Sequence, residues 1–351
     1  MTGPGLLSDG FGRVMHDLRV SITDRCNFRC VYCLPETEQA ANFYRQPLPA
    51  APAPLPRPAW KPRSEILTLE EIERVVRLAV ELGIRKVRVT GGEPLLRQGV
   101  ETLVARLAAI PDLQDLAMTT NGFAFLQKAE ALRAAGLRRV NFSLDSLHHE
   151  TFKKMTGRDG LDLVLAGIRR ARVLGFHPIK INAVVIRGLN DHELESLVAF
   201  AQSQALHLRF IEFMPLDAGR AWQRDLVVSA REIRDRLQAQ FALQPAGREH
   251  PAATATRWRF AHGPGELGLI APVTEPFCGR CNRLRLTADG RIRTCLFSVT
   301  EPDLRPWLRG GATDAAIQER LRQIVRGKED RHHIGEPDFV PPPRTMSCIG
   351  G

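Results

Sequence analysis

What most constrains the fold of this chain is an alternation, sustained to about Pro215, of short β-branched runs with longer segments of helical spacing. Six runs read as strands: Leu18 to Thr23, Lys86 to Thr90, Leu116 to Thr120, Arg139 to Leu144, Ile179 to Ile186 and Leu208 to Phe213. The segments between them are amphipathic. In the first, Leu69, Ile72, Val75, Val76, Ala79 and Val80 recur at three- and four-residue steps, Glu70, Glu71, Glu73 and Arg77 take the other face, and Gly83 is a stop signal. Such a face must pack on a sheet. Repeated strand-helix-strand units join parallel strands through right-handed crossovers. Six of them predict an α/β fold, an incomplete (β/α)6 barrel of the TIM type with its chemistry at the strands' C-terminal ends.

Three segments depart from this rhythm. Residues 39–63 carry Pro47, Pro49, Pro52, Pro54, Pro56, Pro58 and Pro62 among alanines, which forbids a helix or central strand and reads as a surface insertion without a catalytic role. From Ala218 a helix over Ser229 to Phe241 precedes strand-like Thr256 to Phe260 and Leu267 to Pro272. A hairpin from Leu284 to Cys295 follows, turning at Asp289-Gly290. The expected organisation is a barrel over 1–217, a C-terminal α+β extension over 218–335, and a tail over 336–351 whose Pro and Gly content alone would mark it as frayed.

Composition narrows the setting. Apolar residues make up 44% and charged residues 25%, ordinary for a folded globular chain. No stretch has the length and apolarity of a bilayer span, and the start lacks the pattern of a secretory signal, so a cytoplasmic location is expected, with no membrane partner. The net charge of +10 suits nucleic acid or a phosphorylated small molecule, but the arginines are scattered, so basicity alone does not choose.

Seven cysteines, an odd number in a chain without an export signal, argue against a disulfide framework and for ligation. Six fall into two trios: Cys26, Cys30 and Cys33 just after the first strand, and Cys278, Cys281 and Cys295 near the end. Structural zinc takes four ligands in a closed tetrahedron. A [4Fe-4S] cluster held by three cysteines keeps one iron open to a small molecule bearing an amine and a carboxylate. A zinc knuckle with a borrowed ligand remains the alternative for the first trio, and zinc completed by His262 for the second. Arg283-Leu284-Arg285 lies within the second set, where strand alternation sends both guanidiniums to one side to grip phosphate or a purine edge.

Cys26-Asn27-Phe28-Arg29-Cys30-Val31-Tyr32-Cys33 resembles the signature of the radical S-adenosylmethionine superfamily, in which a reduced cluster cleaves the sulfonium and a 5′-deoxyadenosyl radical takes a substrate hydrogen. Gly91-Gly92-Glu93-Pro94, Phe142-Ser143-Leu144-Asp145 and Glu212-Phe213-Met214-Pro215 end strands two, four and six. Singly these read as a tight turn, a helix cap and core packing. With the second trio, the Arg-Leu-Arg unit and the closing Ile349-Gly350-Gly351, nearly the whole chain is similar to the GTP 3′,8-cyclases of molybdenum cofactor biosynthesis.

That resemblance implies two [4Fe-4S] clusters and S-adenosylmethionine as cofactors, with Tyr32, Gly92, Ser143 and Met214 lining the S-adenosylmethionine site. It implies Arg19, Arg88, Thr119, Lys180, Arg283 and Arg285 facing GTP, and Arg283, Arg285, Gly350 and Gly351 in catalysis. The product would be 3′,8-cyclo-7,8-dihydro-GTP. The implied partners are GTP, an electron donor and the companion cyclic pyranopterin monophosphate synthase, without nucleic acid; a homodimer is compatible. Cys348, two residues before the terminal glycines, is a neutral filler, an adventitious ligand or an oxidation-prone thiol near the second cluster. A radical peptide-modifying enzyme and a basic zinc-binding nucleic-acid protein are the rival readings.

Overall fold

A computed structural model of the chain describes residues 5–34, 60–216, 222–337 and 339–350, so nearly all of the proline-rich insertion lies outside the described residues. Its centre is six strands, β1 (Asp17–Ser21), β2 (Lys86–Thr90), β3 (Asp115–Thr120), β4 (Arg139–Ser143), β5 (Ile179–Val185) and β6 (His207–Glu212). They lie side by side in chain order, all parallel. Helices α1 (Leu69–Glu81), α2 (Val100–Ala108), α3 (Phe125–Ala134), α4 (His149–Thr156), α5 (Leu161–Val173) and α6 (Leu194–Ser203) fall between the strands.

The extension shares the barrel's sheet. β10 (Arg283–Leu286) pairs in parallel with β1, and β9 (Glu266–Ile270) pairs in parallel with β6. The antiparallel strands β11 (Ile292–Arg293), β8 (Thr256–Phe260) and β7 (Leu243–Gly247) finish the two edges. Strand β7 carries Pro245 and a bulge beside it, which only an edge position tolerates and which hides it from a pattern search. Helices α7 (Ala230–Gln238), α8 (Arg305–Arg309), α9 (Asp314–Arg326) and α10 (Met346–Ile349) complete the described chain.

Alternation along the strands sorts the two faces. Leu18, Val20, Val87, Val89, Val140 and Phe142 are buried in the main apolar core with the helix stripes, for example Ile72 and Val76 of α1. Each such side chain contributes about 1.5–3 kcal/mol. A capping box starts α1: Thr68 Oγ1 accepts from Glu71 N–H at 3.1 Å, and the Glu71 carboxylate accepts from Thr68 N–H at 2.8 Å. Gly83, at φ +105°, follows its end.

The opposite face is polar, with Asp17, Arg19 and Ser21 on β1 and Lys86, Arg88 and Thr90 on β2. Branched apolar side chains fill an ordinary barrel of this type; here charge leaves a chamber. Strands β1, β3 and β6 begin at Asp17, Asp115 and His207, before their first apolar residue. Those charged residues pair, Lys86 lying 3.8 Å from Asp17 and 3.5 Å from Asp115, and His207 3.5 Å from Glu266. Among the described residues no helix is long and apolar enough to cross a membrane.

Candidate active site

The loop after β1 is fixed on both sides. Gly92 N–H donates to Thr23 O at 2.7 Å, and Glu93 N–H to Arg25 O at 2.8 Å. A Cβ on Gly92 would lie 2.3 Å from Arg25 O, and one on Gly91 2.6 Å from Thr23 O, so this approach requires glycine. On the far side, Arg29 N–H donates to Thr156 O at 2.7 Å and Val31 N–H to Met155 O at 3.0 Å, at the end of α4. The Glu93 carboxylate accepts from Leu95 N–H, Thr120 Oγ1 and Asn121 N–H at 3.0, 2.8 and 2.7 Å, tying β2 to β3.

Held this way, Cys26, Cys30 and Cys33 line one cavity of about 980 Å³, measured to its open mouth, together with Tyr32, Gly92, Ser143 and Met214. All three are free thiols. Burial pushes Cys26 up to about 11, with Glu93 adding to it, and pushes Cys30 and Cys33 up as well. Such thiols become thiolates by binding metal. Tyr32 Oη donates to Asp145 Oδ2 at 2.6 Å, and burial raises the Asp145 carboxyl to about 6.

The second trio brackets the β10–β11 hairpin: Cys278 and Cys281 precede β10, and Cys295 follows β11. These cysteines line a cavity of about 990 Å³ with Arg19, Arg88, Thr119, Arg283 and Arg285. Thr119, Asn182, Ile211, Met214 and Met346 line both cavities, so the two adjoin as a two-lobed chamber with a cysteine trio in each lobe. Burial opposes ionisation of Cys281, but Arg283, Lys328 and Arg13 outweigh it and hold that thiol below its ordinary value.

A group of buried cations lines the second cavity. Burial lowers Arg285 to about 9, with Arg293 and Arg283 adding to it, and lowers Arg209 to about 10, with Arg88 adding to it. Arg19 Nε, Arg88 Nε and Asn182 Oδ1 are buried without a hydrogen-bond partner among the described residues. Gathered guanidiniums with unspent donors are chemically suited to a polyanion. Arg283 lies 5.2 Å over the Phe277 ring and donates to Ala252 O at 3.0 Å. Lys180 is not among the chamber's lining residues. It is buried with its ammonium 3.8 Å from Glu249, and burial lowers it to about 7.

The tail reaches this chamber. Met346 and Ser347 line it, and Gly350 O accepts from Arg285. Gly350 has φ +84°, and a Cβ there would sit 2.9 Å from Thr90 Cγ2. Gly351 lies outside the described residues. Cys348 acts electrostatically on Cys33, in the first trio. His262 is exposed on the turn between β8 and β9; the histidine that lines the chamber is His332.

Residues 20–201 match the Radical SAM superfamily, and residues 206–334 match the family described as Molybdenum Cofactor Synthesis C. A GTP 3′,8-cyclase of Rhodopirellula baltica is 46% identical over 355 residues, spanning 100% of this chain and 94% of its own. Its counterpart in Streptomyces coelicolor is 45% identical, spanning 99% and 97%. The chain belongs to the GTP 3′,8-cyclase family. Membership of the radical S-adenosylmethionine superfamily implies S-adenosylmethionine and an iron-sulfur cluster. The fold is also that of Streptococcus suis SuiB bound to S-adenosylmethionine, with a TM-score of 0.59 at 14% identity over 90% of this chain and 69% of SuiB.

Within this family framework, the structure gathers every described residue that the resemblance assigned to a cluster, to S-adenosylmethionine, to GTP or to catalysis except Lys180, with Gly350 reaching the chamber through Arg285. It adds Arg209, Asn182, Phe277 and His332 to the lining. Arg209 was within reach of pattern reasoning, because it stands between the apolar Leu208 and Phe210 on β6, as Arg19 does between Leu18 and Val20.

Proposed function

We propose that the chain converts GTP to 3′,8-cyclo-7,8-dihydro-GTP, the first step of molybdenum cofactor biosynthesis. The observation that carries this reading is the two-lobed chamber, with a free cysteine trio in each lobe and buried arginines with unspent donors lining the second. Cys26, Cys30 and Cys33 would hold one [4Fe-4S] cluster, and Cys278, Cys281 and Cys295 an auxiliary one. Both trios lie in cavities with room for more than a single ion. Bound with S-adenosylmethionine, the first cluster supplies the electron that splits the sulfonium.

The protein's own work is then positioning. Gly91 and Gly92 give the methionyl group close access to backbone, while Tyr32, Ser143 and Met214 line the remainder of that end. Arg19, Arg88 and Arg209 offer charge-assisted hydrogen bonds to the triphosphate, with Lys180 behind them, and Thr119 stands where the two ends meet. Arg283 and Arg285 flank the auxiliary trio, and Arg285 also fixes the tail through Gly350 O. In this assignment residues 1–217 form the S-adenosylmethionine barrel, 218–335 the auxiliary region and 336–351 the tail. An electron donor and a downstream cyclic pyranopterin monophosphate synthase are the partners such a product requires.

Anaerobic incubation with reductant, S-adenosylmethionine and GTP tests the reading. Formation of 5′-deoxyadenosine that depends on GTP is expected; formation indifferent to GTP would return the choice to a peptide-modifying radical enzyme.

A further inference from the structure

Lys328 is 3% exposed, although nothing in its sequence surroundings marks it as a core residue. It follows α9, where the chain passes beneath the second cysteine trio. Its ammonium donates to Arg283 O at 3.3 Å and to Thr294 O. Those carbonyls lie two residues after Cys281 and one before Cys295, so the cation bridges the two arms that carry the trio. No carboxylate pairs with it among the described residues. The adjacent Glu329 carboxylate is engaged elsewhere, by Thr294 Oγ1 at 2.7 Å and by the Ser298 hydroxyl.

A buried ammonium with only carbonyl partners is unfavourable unless an anion accompanies it. The sulfurs of Cys278, Cys281 and Cys295 are near enough for its charge to favour their thiolate forms. Arg283 acts with it on Cys278 and Cys281, and Glu329 opposes it at Cys295. The first trio has the reverse setting. Glu93 acts on Cys26 and Asp145 on Cys30; a cation, Arg29, stands among the leading influences on Cys26 but not on Cys30.

We propose that Lys328 is the resident counter-charge of the auxiliary cluster, helping to retain it and raising its reduction potential. This rests on reading the second trio as a cluster site. Three thiolates and a four-iron core form an anion, and each added electron deepens that charge. A cation fixed in the low-dielectric interior therefore stabilises the reduced state more than the oxidised one. Lys328 is a positioning and tuning residue, since it does not line the chamber.

The test compares anaerobically reconstituted full-length wild type, Lys328→Met and Lys328→Arg by potentiometric titration with electron paramagnetic resonance detection. In Lys328→Met one of the two cluster transitions moves to lower potential and the other stays, while Lys328→Arg remains near wild type. Unchanged transitions in a fully loaded Lys328→Met protein overturn the proposal. Loss of only the auxiliary cluster in Lys328→Met, restored in Lys328→Arg, supports it; loss of both clusters in both variants overturns it.

Thermal unfolding separates charge from packing. Lys328→Met should lower the midpoint of iron-loaded protein yet leave unchanged or raise that of iron-free protein. Equal losses in both states would mean that Lys328 merely ties two carbonyls together. Wild type loading about four irons instead of about eight would defeat the two-cluster reading itself, an outcome distinct from failure of the Lys328 inference.

Discussion

Replacing Gly350 with alanine would test whether the C-terminal tail belongs to the active site. Gly350 has φ 84° and ψ 111°, a backbone conformation that costs an L-residue about 1–3 kcal/mol. Its new Cβ would meet Thr90 Cγ2 at 2.9 Å and Ser21 Cβ at 3.1 Å, and overpacking of that kind costs about 1–3 kcal/mol more. What holds the tail is comparable in size. Ile349 is 1% exposed, and its burial contributes about 1.5–3 kcal/mol. The charge-assisted bond from Arg285 to Gly350 O contributes about 1.5–3 kcal/mol. The strain therefore offsets most of the attachment, and each 1.4 kcal/mol lowers tail occupancy about tenfold. Gly350→Ala should keep its iron, become more sensitive to carboxypeptidase, and lose about tenfold or more of its GTP-dependent 5′-deoxyadenosine formation. Full turnover with an undiminished resistance to carboxypeptidase would refute the reasoning.

Two further outcomes follow from the chamber's charges. Arg209→Ala should weaken GTP binding about 10- to 100-fold, the equivalent of one charge-assisted bond, and leave S-adenosylmethionine binding unchanged. Equal weakening of both ligands, read by anaerobic equilibrium dialysis, would place Arg209 in a purely structural role. Burial lifts the Glu93 carboxyl from 4.5 to about 7, so the folded state holds this proton more tightly than the unfolded chain does. Stability from this group is fully present below about pH 4.5 and is lost as pH rises through about 7. Between about pH 5 and 7 the thermal midpoint of wild type should fall more steeply with rising pH than that of Glu93→Gln, which cannot ionise; matching slopes would contradict this.

Much of this structure was legible in advance because the barrel strands obey a period of two. Leu18, Val20, Val87 and Val89 had to face helices, so Arg19 and Arg88 had to face inward, and the sheet puts Arg19 opposite both Arg88 and Arg285. The same reasoning put Lys180 with the arginines; it does lie near Arg209, but register sets it off the lining of both cavities. Lys180 pairs with Asn141 and with His207, the first residue of β6, and comes to lie beside Glu249. Periodicity gives a side chain's face, whereas its depth depends on pairings far along the chain. Lys328 and His332 fall in a stretch without helical or strand period, and only the packing of α9 against α1 and the reach of Lys328 to Arg283 O and Thr294 O give them a place near the second trio. Cysteine count and spacing marked both trios, while Glu93, Asp145 and Lys328, which give them different charge settings, stand far from them in sequence.

The central claim is that one chamber brings a nucleotide's ribose within reach of radical chemistry started at Cys26, Cys30 and Cys33. GTP carrying deuterium at the ribose 3′ carbon puts that claim to the test in a single anaerobic turnover. Mass spectrometry should find one deuterium in the 5′-deoxyadenosine released. Release of unlabelled 5′-deoxyadenosine from fully deuterated GTP would contradict it.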